Sequence, residues 1–445
     1  MSSLESRLSK ALAPWRTAPA WRVAFSGGLD SCVLLHLLVR LGDFERLPPL
    51  SAIHVHHGLQ PAADAWVTAC QQACDQLGVP LQVCRVQVAA TASLEAAARE
   101  ARYLAFSTQL QAHELLLTAQ HADDQAETLL FRLLRGAGVR GLAGMPVQRS
   151  LGAGHLLRPL LDCRRAELED YARVHQLVWQ EDPSNADQRF ARNHLRHQVL
   201  PGLQLRWPQA VGALARTAGH CREAQQLLDE LAQLDLHGAM GAPLHSWLPC
   251  PSLDLNALML LSDARQRNAL RHWLAGFGQL PDSDHWAGWR ALRDAAQDAE
   301  PLWKVGTGQL RRACGRIWWL QGAWLQAPQP LQQALLPGGR LVLPGNGTVR
   351  LQGELSPGRP LQVRYRRPGE VLNLPQRGRR DLKRLLNEQA LPAFLRDRLP
   401  LLCDGDRVLA VANLPALNVQ LGAGCHFVWE PPSAVDTPAA VPIKV

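Results

Sequence analysis

Ser26-Gly27-Gly28-Leu29-Asp30-Ser31 joins two elements of different period. Before it, Trp21-Arg22-Val23-Ala24-Phe25 is short and mostly apolar, a strand pattern. After it, Cys32 to Leu41 is a helical run closed by Gly42. A strand, two glycines and a helix start make a place for an anion: glycine lets the backbone turn tightly, and the unpaired N–H groups of the first helical turn point at the ligand. Ser26 and Ser31 add hydroxyl donors. Asp30 is the odd member, because its charge repels a phosphate unless a divalent cation intervenes, or else it is simply an N-cap. The stretch is not a Walker loop: GxxxxGK[ST] is absent, and no lysine follows to grip terminal phosphates.

Outward from this loop the first 200 residues alternate strand and helix. Leu50 to His57 reads as a strand ending in histidines, Ala63 to Leu77 as a helix and Leu81 to Val88 as a strand. Ser93 to Ala112 reads as a long helix with Ser93 as N-cap, Leu115 to Ala119 as a strand and Asp123 to Leu134 as a helix. Such alternation predicts a parallel sheet with helices on both faces and ligands at the strands' carboxyl ends. Three polar stretches fall at those ends: SGGLDS, His54-Val55-His56-His57-Gly58-Leu59, and Thr118 to Asp124.

The last of these carries most of the chemistry. Asp124 and Glu127 fall on one face of the following helix, with His121 just upstream, a cluster suited to Mg²⁺ or a cationic amine. Glu95 and Arg99 form an i,i+4 pair, and Arg99 and Arg102 share a face. Arg132, Arg135 and Arg140 flank a glycine-rich loop suited to RNA phosphates or to a lid. Glu181-Asp182-Pro183-Ser184-Asn185 precedes Arg189, Arg192 and Arg196 on neighbouring helical faces.

With 445 residues, 47% of them apolar, the chain is long enough for two or three cores. Residues 208 to 300 read as all-helical, and tryptophans 273, 286, 289, 303, 318, 319 and 324 as core filling. The net charge of +8 and isoelectric point near 9.2 favour a polyanionic partner. From 359 to 398 there are eleven Arg/Lys against four Asp/Glu, an excess that points to phosphate-backbone contact. Ten scattered cysteines without a CxxC pair read as buried thiols in a reducing compartment. No apolar h-region and no apolar run of about 18 residues is present, so a soluble cytoplasmic protein is expected.

Taken in order, SGGLDS, HVHHGL, EAAAREARY, TAQHADDQAETLLFRLLRGAGVRGLAGM, RPLL and EDPSNADQRFARNHLRHQVLP resemble the tRNA(Ile)-lysidine synthases of the PP-loop ATP pyrophosphatase superfamily. RYRRPGE and GRRDLKRLLNEQALPAFLRDRLPLL are similar to that family's final domain. Gln60 and Gln120 depart from residues common in the family. The resemblance implies an α/β fold: a Rossmann-like PP-loop domain over 1–207, a helical tRNA-binding domain over 208–327, a basic α+β C-terminal domain over 328–430, and a disordered tail from 431. It implies ATP-dependent ligation of free lysine to carbon 2 of the wobble cytidine in the CAU-anticodon isoleucine tRNA, with AMP and pyrophosphate released. By the same matching, Ser26, Gly27, Gly28, Leu29, Asp30, Ser31 and Arg99 hold ATP, and Asp30 binds Mg²⁺. Asp30, Asp124, Glu127 and Arg192 serve catalysis. A homodimer is a state the resemblance leaves open. A PP-loop tRNA thiolase is the alternative reading, and it lacks its usual CxxC pairs here.

Overall fold

The computed structural model describes residues 3–58, 63–88, 94–183, 187–281, 284–296, 299–336, 338–353, 361–374, 377–418, 421 and 424–433. Leu59, Gln60, Ser93, the Glu95 side chain, Ser184, Asn185 and the tail from 434 lie outside them. The chain divides into two compact units, Met1–Leu227 and Leu228–Val445.

The first unit is built on a six-stranded sheet: β1 (Trp21–Ala24), β2 (Leu50–His56), β3 (Leu81–Arg85), β4 (Leu115–Leu117), β5 (Gln148–Leu151) and β6 (Gly154–Leu157). Their order is β3-β2-β1-β4-β6-β5, all parallel except the β5–β6 hairpin. Helices α1 (Ser3–Leu12), α2 (Leu29–Gly42), α3 (Ala63–Gln76), α4 (Leu94–Gln109), α5 (Ala122–Leu133), α6 (Val139–Leu142) and α7 (Arg165–Val174) alternate with or follow the strands. Strand alternation sorts the core into two layers. Trp21, Val23, Leu115 and Leu117 face α1, α2 and α7, whereas Ala24, Leu116 and Leu156 face Phe106 of α4 and Leu110 just after it. Strand β1 lies between β2 and β4, so the chain reverses its direction of travel across the sheet there. Ligands of such sheets bind at this switch point.

Beyond α7, α8 (Ala191–His194) runs through a π-helical turn at Leu195–Val199 into α9 (Leu200–Arg206), and α10 (Ala210–Met240) follows. In the second unit the structure corrects the all-helical reading of 208–300. Strand β7 (Ser252–Asp254) joins β8 (Leu302–Val305), β9 (Gly308–Ala313) and β10 (Arg316–Leu320) in an antiparallel sheet, order β7-β10-β9-β8. The hairpins turn at Gly306 and Gly315, both at positive φ. Trp273, Trp286, Trp289, Trp303, Trp318, Trp319 and Trp324 are all buried, as core filling requires. Leu227 and Leu234 of α10 are exposed.

The region from 332 to 430 is strand-rich, with short helices at Leu382–Glu388 and Ala393–Arg396. Its basic run is not one surface. Arg364 is buried against Glu370, and Arg398 is buried on Asn346 and the carbonyls of Ala323 and Gln326. Arg379, Arg380 and Lys383 stay exposed. Among the described residues no helix is long and apolar enough to cross a membrane.

Candidate active site

Strand β1 delivers the loop to the switch point, and its glycines are not equivalent. Gly27 sits at φ +80°, and a Cβ there would lie 2.8 Å from the Cys70 Sγ. Gly28 is the extended N-cap of α2, and a Cβ on it would meet no atom closer than 3.5 Å. Thus Gly27 is required by both backbone and space. Gly27→Ala is expected to cost about 1–3 kcal/mol in chemical unfolding. Adding Cys70→Ala relieves the clash but not the backbone strain, so only part should return; an unchanged midpoint in the single variant would contradict the account.

The first intrahelical bond of α2 runs from Cys32 N–H to Gly28 O, 3.0 Å, leaving the amides of Leu29, Asp30 and Ser31 ahead of it. Ser31 donates to Gly28 O at 2.9 Å, and its Oγ lies 3.1 Å from the Ser26 Oγ. The cradle read from SGGLDS is therefore assembled, with Gly28 rather than Asp30 capping the helix. Asp30 stands in the first turn, partly exposed, and its Oδ1 is a buried acceptor without a partner.

From the end of β4 the chain brings the second half of the site. His121 precedes α5 and is fully buried, 3.6 Å from a carboxylate oxygen of each of Asp30, Asp123 and Asp124. Burial alone would lower its pKa. Asp124, Asp123 and Asp30 outweigh burial and raise it to about 10, so His121 is a cation at neutral pH. The stabilisation this supplies is complete below about pH 6.5 and is lost as pH rises through about 10. Asp123 also accepts the Arg165 N–H at 2.8 Å, which ties α5 to the start of α7.

Asp124 and Glu127, one turn apart on α5, meet two arginines from the helix beginning at 191. Arg192 donates Nε to Glu127 at 2.8 Å and a terminal nitrogen to Asp124 at 3.0 Å. Arg196 donates Nε to Glu127 at 2.6 Å and a terminal nitrogen to Asp124 at 2.9 Å. Burial works against the Asp124 charge, but His121, Arg192 and Arg196 hold its carboxyl below the usual range. A chain of alternating charge thus runs from Asp30 through His121 and Asp124 to the two arginines. The acidic pair presents no free face in this arrangement. An incoming ammonium would compete chiefly with Arg192, whose side chain is 34% exposed against 23% for Arg196.

The structure therefore brings Ser26, Gly27, Gly28, Leu29, Asp30 and Ser31 together with Asp124, Glu127 and Arg192. Arg99 is exposed on α4, with its Cζ 4.9 Å from the Tyr103 ring centre and its charge bearing on Arg132 of α5. From the sequence His121 belonged to the cluster with Asp124 and Glu127 and Arg196 was an i+4 neighbour of Arg192, but neither carried an assigned role. No group of three or more His, Cys, Asp or Glu side chains among the described residues forms a metal cage. Asp30, with a free buried oxygen beside a phosphate cradle, fits Mg²⁺ in the mode where one carboxylate, water and substrate phosphates share the ion.

Residues 1–203 match the family model of the PP-loop domain, 253–318 that of the TilS substrate binding domain and 361–426 that of the TilS substrate C-terminal domain. The tRNA(Ile)-lysidine synthase of Pseudomonas fluorescens is 58% identical over 428 residues, covering 96% of this chain and 97% of that protein. The protein of the same name from Escherichia coli O157:H7 is 41% identical over 422 residues, covering 92% and 96%. Among solved structures, the U34-tRNA thiolase NcsA from Methanococcus maripaludis aligns with a TM-score of 0.42 at 15% identity, over 49% of this chain and 78% of that one.

Proposed function

This chain belongs to the tRNA(Ile)-lysidine synthase family, and we propose that the charge chain at the sheet's switch point is where it performs the family's reaction. It is an ATP-dependent ligase that converts the wobble cytidine of the CAU-anticodon isoleucine tRNA to lysidine, by way of adenylation of the base. Site roles and the lysine donor are our reading; the contiguity of the α2 cradle with Asp30, His121 and Asp124 carries it.

The 2-carbonyl oxygen of cytidine is a poor leaving group. Attack of that oxygen on the α-phosphorus of ATP breaks the bond to pyrophosphate and turns the oxygen into part of AMP, a good leaving group. Negative charge gathers on the departing pyrophosphate. We assign the Leu29, Asp30 and Ser31 amides and the Ser26 hydroxyl to meet it, at about 2.7–4 kcal/mol for a well-aimed donor, with the Ser31 hydroxyl bracing the turn on Gly28 O. Mg²⁺, held by Asp30 and the phosphates, would neutralise the triphosphate when bound. His121, 3.6 Å from its carboxylate, keeps Asp30 oriented beside that cradle. The lysine ε-ammonium then gives up a proton to its surroundings, its nitrogen attacks carbon 2, and the C2–O bond breaks so that AMP leaves with the electron pair. Asp124 and Glu127 attract the ammonium as Arg192, the more exposed guanidinium, gives way. The target base lies in a single-stranded loop, so splaying it into the crevice costs little stacking. Exposed Arg379, Arg380 and Lys383 offer phosphate contacts in the C-terminal domain. We divide the chain at 207/208 and 327/328, with catalysis in the first part and tRNA binding in the others. We place the protein in the cytoplasm, with none of its ten cysteines in a disulfide.

Purified protein given ATP, labelled lysine and the CAU-anticodon tRNA is expected to incorporate label and release pyrophosphate. Modification only with a sulfur donor would move the chain to the thiolases, and no incorporation would overturn the reading.

A further inference from the structure

On the opposite face of the same sheet, four side chains from three segments gather on one aromatic ring. Tyr103 projects from α4 at the margin of the layer formed by Ile53, Phe106, Leu110, Leu116, Leu151 and Leu156, and packs edge-on against Phe106. The core thus holds the ring in place. Arg99, one turn earlier on α4, sets its Cζ 4.9 Å from the ring centre. Arg149, from β5, sets its Cζ 4.8 Å from the same centre. Arg158, immediately after β6, is 3% exposed and donates to Pro146 O at 2.7 Å, and its charge bears on the Tyr103 phenol.

Three guanidiniums around one phenol are more than the fold needs. Among the described residues no carboxylate pairs with Arg149 or Arg158, and the buried Nε of Arg158 has no acceptor at all. Like charges held this close repel one another, and one ring's quadrupole offsets only part of that. The phenol registers the excess: burial would raise it, yet the fields of Arg99, Arg158 and Arg149 hold it below its ordinary value. Planar guanidiniums stacked on a ring keep their N–H edges free, the geometry that grips a phosphate in bidentate fashion. Both Arg149 and Arg158 stand at the carboxyl-end rim, since β5 begins and β6 ends there.

We propose that Tyr103, Arg149 and Arg158, with Arg99, form a second phosphate-binding subsite at this sheet end, separate from the α2 cradle. Arg149 is its phosphate-contacting group and Tyr103 the post that aims it. The ligand chemistry is a phosphate borne by one of the reaction's two polyanions, the ATP tail or the RNA backbone. The inference rests on the lysidine synthase reading and deepens it.

The test compares wild-type full-length protein with Arg149→Ala, Arg149→Lys and Tyr103→Leu. For each, the KM values for ATP and lysine, the tRNA dissociation constant against salt, and the thermal midpoint are measured. Arg149→Ala and Tyr103→Leu are expected to weaken one phosphate-bearing substrate by roughly tenfold or more, the worth of one charge-assisted pair. Arg149→Lys restores part of it, and lysine KM and the Arg149→Ala midpoint stay near wild type. A rise in ATP KM alone assigns the subsite to the triphosphate. A weaker tRNA complex with a salt slope reduced by about one assigns it to the RNA backbone. If Arg149→Ala changes neither, or shifts every constant in step with the midpoint, the cluster is structural and the proposal is wrong. A wild-type protein that incorporates no lysine overturns the functional reading itself, an outcome distinct from these.

Discussion

Asp30→Ala is expected to abolish adenylation while leaving tRNA binding intact. Asp30 is the only carboxylate in the first turn of α2, and its Oδ1 is buried without a partner beside the phosphate cradle. An anion there disfavours a triphosphate, and His121 meets only its other oxygen, so a cation bridging the free Oδ1 to the phosphates accounts for its place. Removing it deletes that bridge and leaves the amide cradle in place. The expected loss in pyrophosphate release is about three orders of magnitude, on the order of 4 kcal/mol in the barrier. Folding should survive, because His121 keeps Asp123 and Asp124 as counter-charges. Asp30→Asn, which keeps the size and loses the charge, should behave alike. Pyrophosphate release in single turnover and filter binding of the tRNA separate the outcomes. Persistent release, or tRNA affinity falling in parallel, would recast Asp30 as structural.

The second large effect is expected at Glu127. This carboxylate is 1% exposed and accepts three hydrogen bonds from Arg192 and Arg196. Glu127→Ala leaves both guanidiniums to share Asp124. Breaking a buried pair by removing one partner costs about 3–5 kcal/mol, and the partial exposure of the arginines places this case toward the lower end. At about 2–4 °C per kcal/mol for a domain of this size, the melting midpoint should fall by roughly 10 °C. Lysine incorporation should also fail below the new midpoint, since α5 and the helix from 191 would no longer be held together. Replacing Arg196 with Met in the Glu127→Ala background removes one stranded charge and should recover part of the stability. A midpoint within a degree of wild type would show that the network contributes little.

These two residues were differently legible. Asp30 lies inside a six-residue string whose neighbours already specify strand, turn and helix, so both its position and its chemical oddity could be read locally. Glu127 could be placed on a helix face with Asp124, but its partners lie more than sixty residues away. Local spacing made the acidic pair look like an open site for an ammonium, whereas the fold closes it with arginines. Arg99 shows the converse. Its helical neighbours were plain, but its contact with Tyr103 places it on the other face of the sheet from α2. The helical reading of 208–300 missed β7 because a three-residue strand between helices has too few positions to show period two. The basic C-terminal run was legible as charge alone, and burial of Arg364 and Arg398 removes two of its members from any surface.

The sequence by itself determined the α/β class, the phosphate cradle at the end of β1 and the family. Those features are written in contiguous residues whose periodicity and turn chemistry act over one or two helical turns. Only the tertiary structure decided which charges meet. His121 bridges Asp30 to Asp124 because β1 and β4 are neighbours in the sheet, and Arg192 and Arg196 reach Glu127 because the helix from 191 lies against α5. Coulomb attraction between buried groups depends on separation in space, and no local pattern encodes a separation that sheet order and helix docking set.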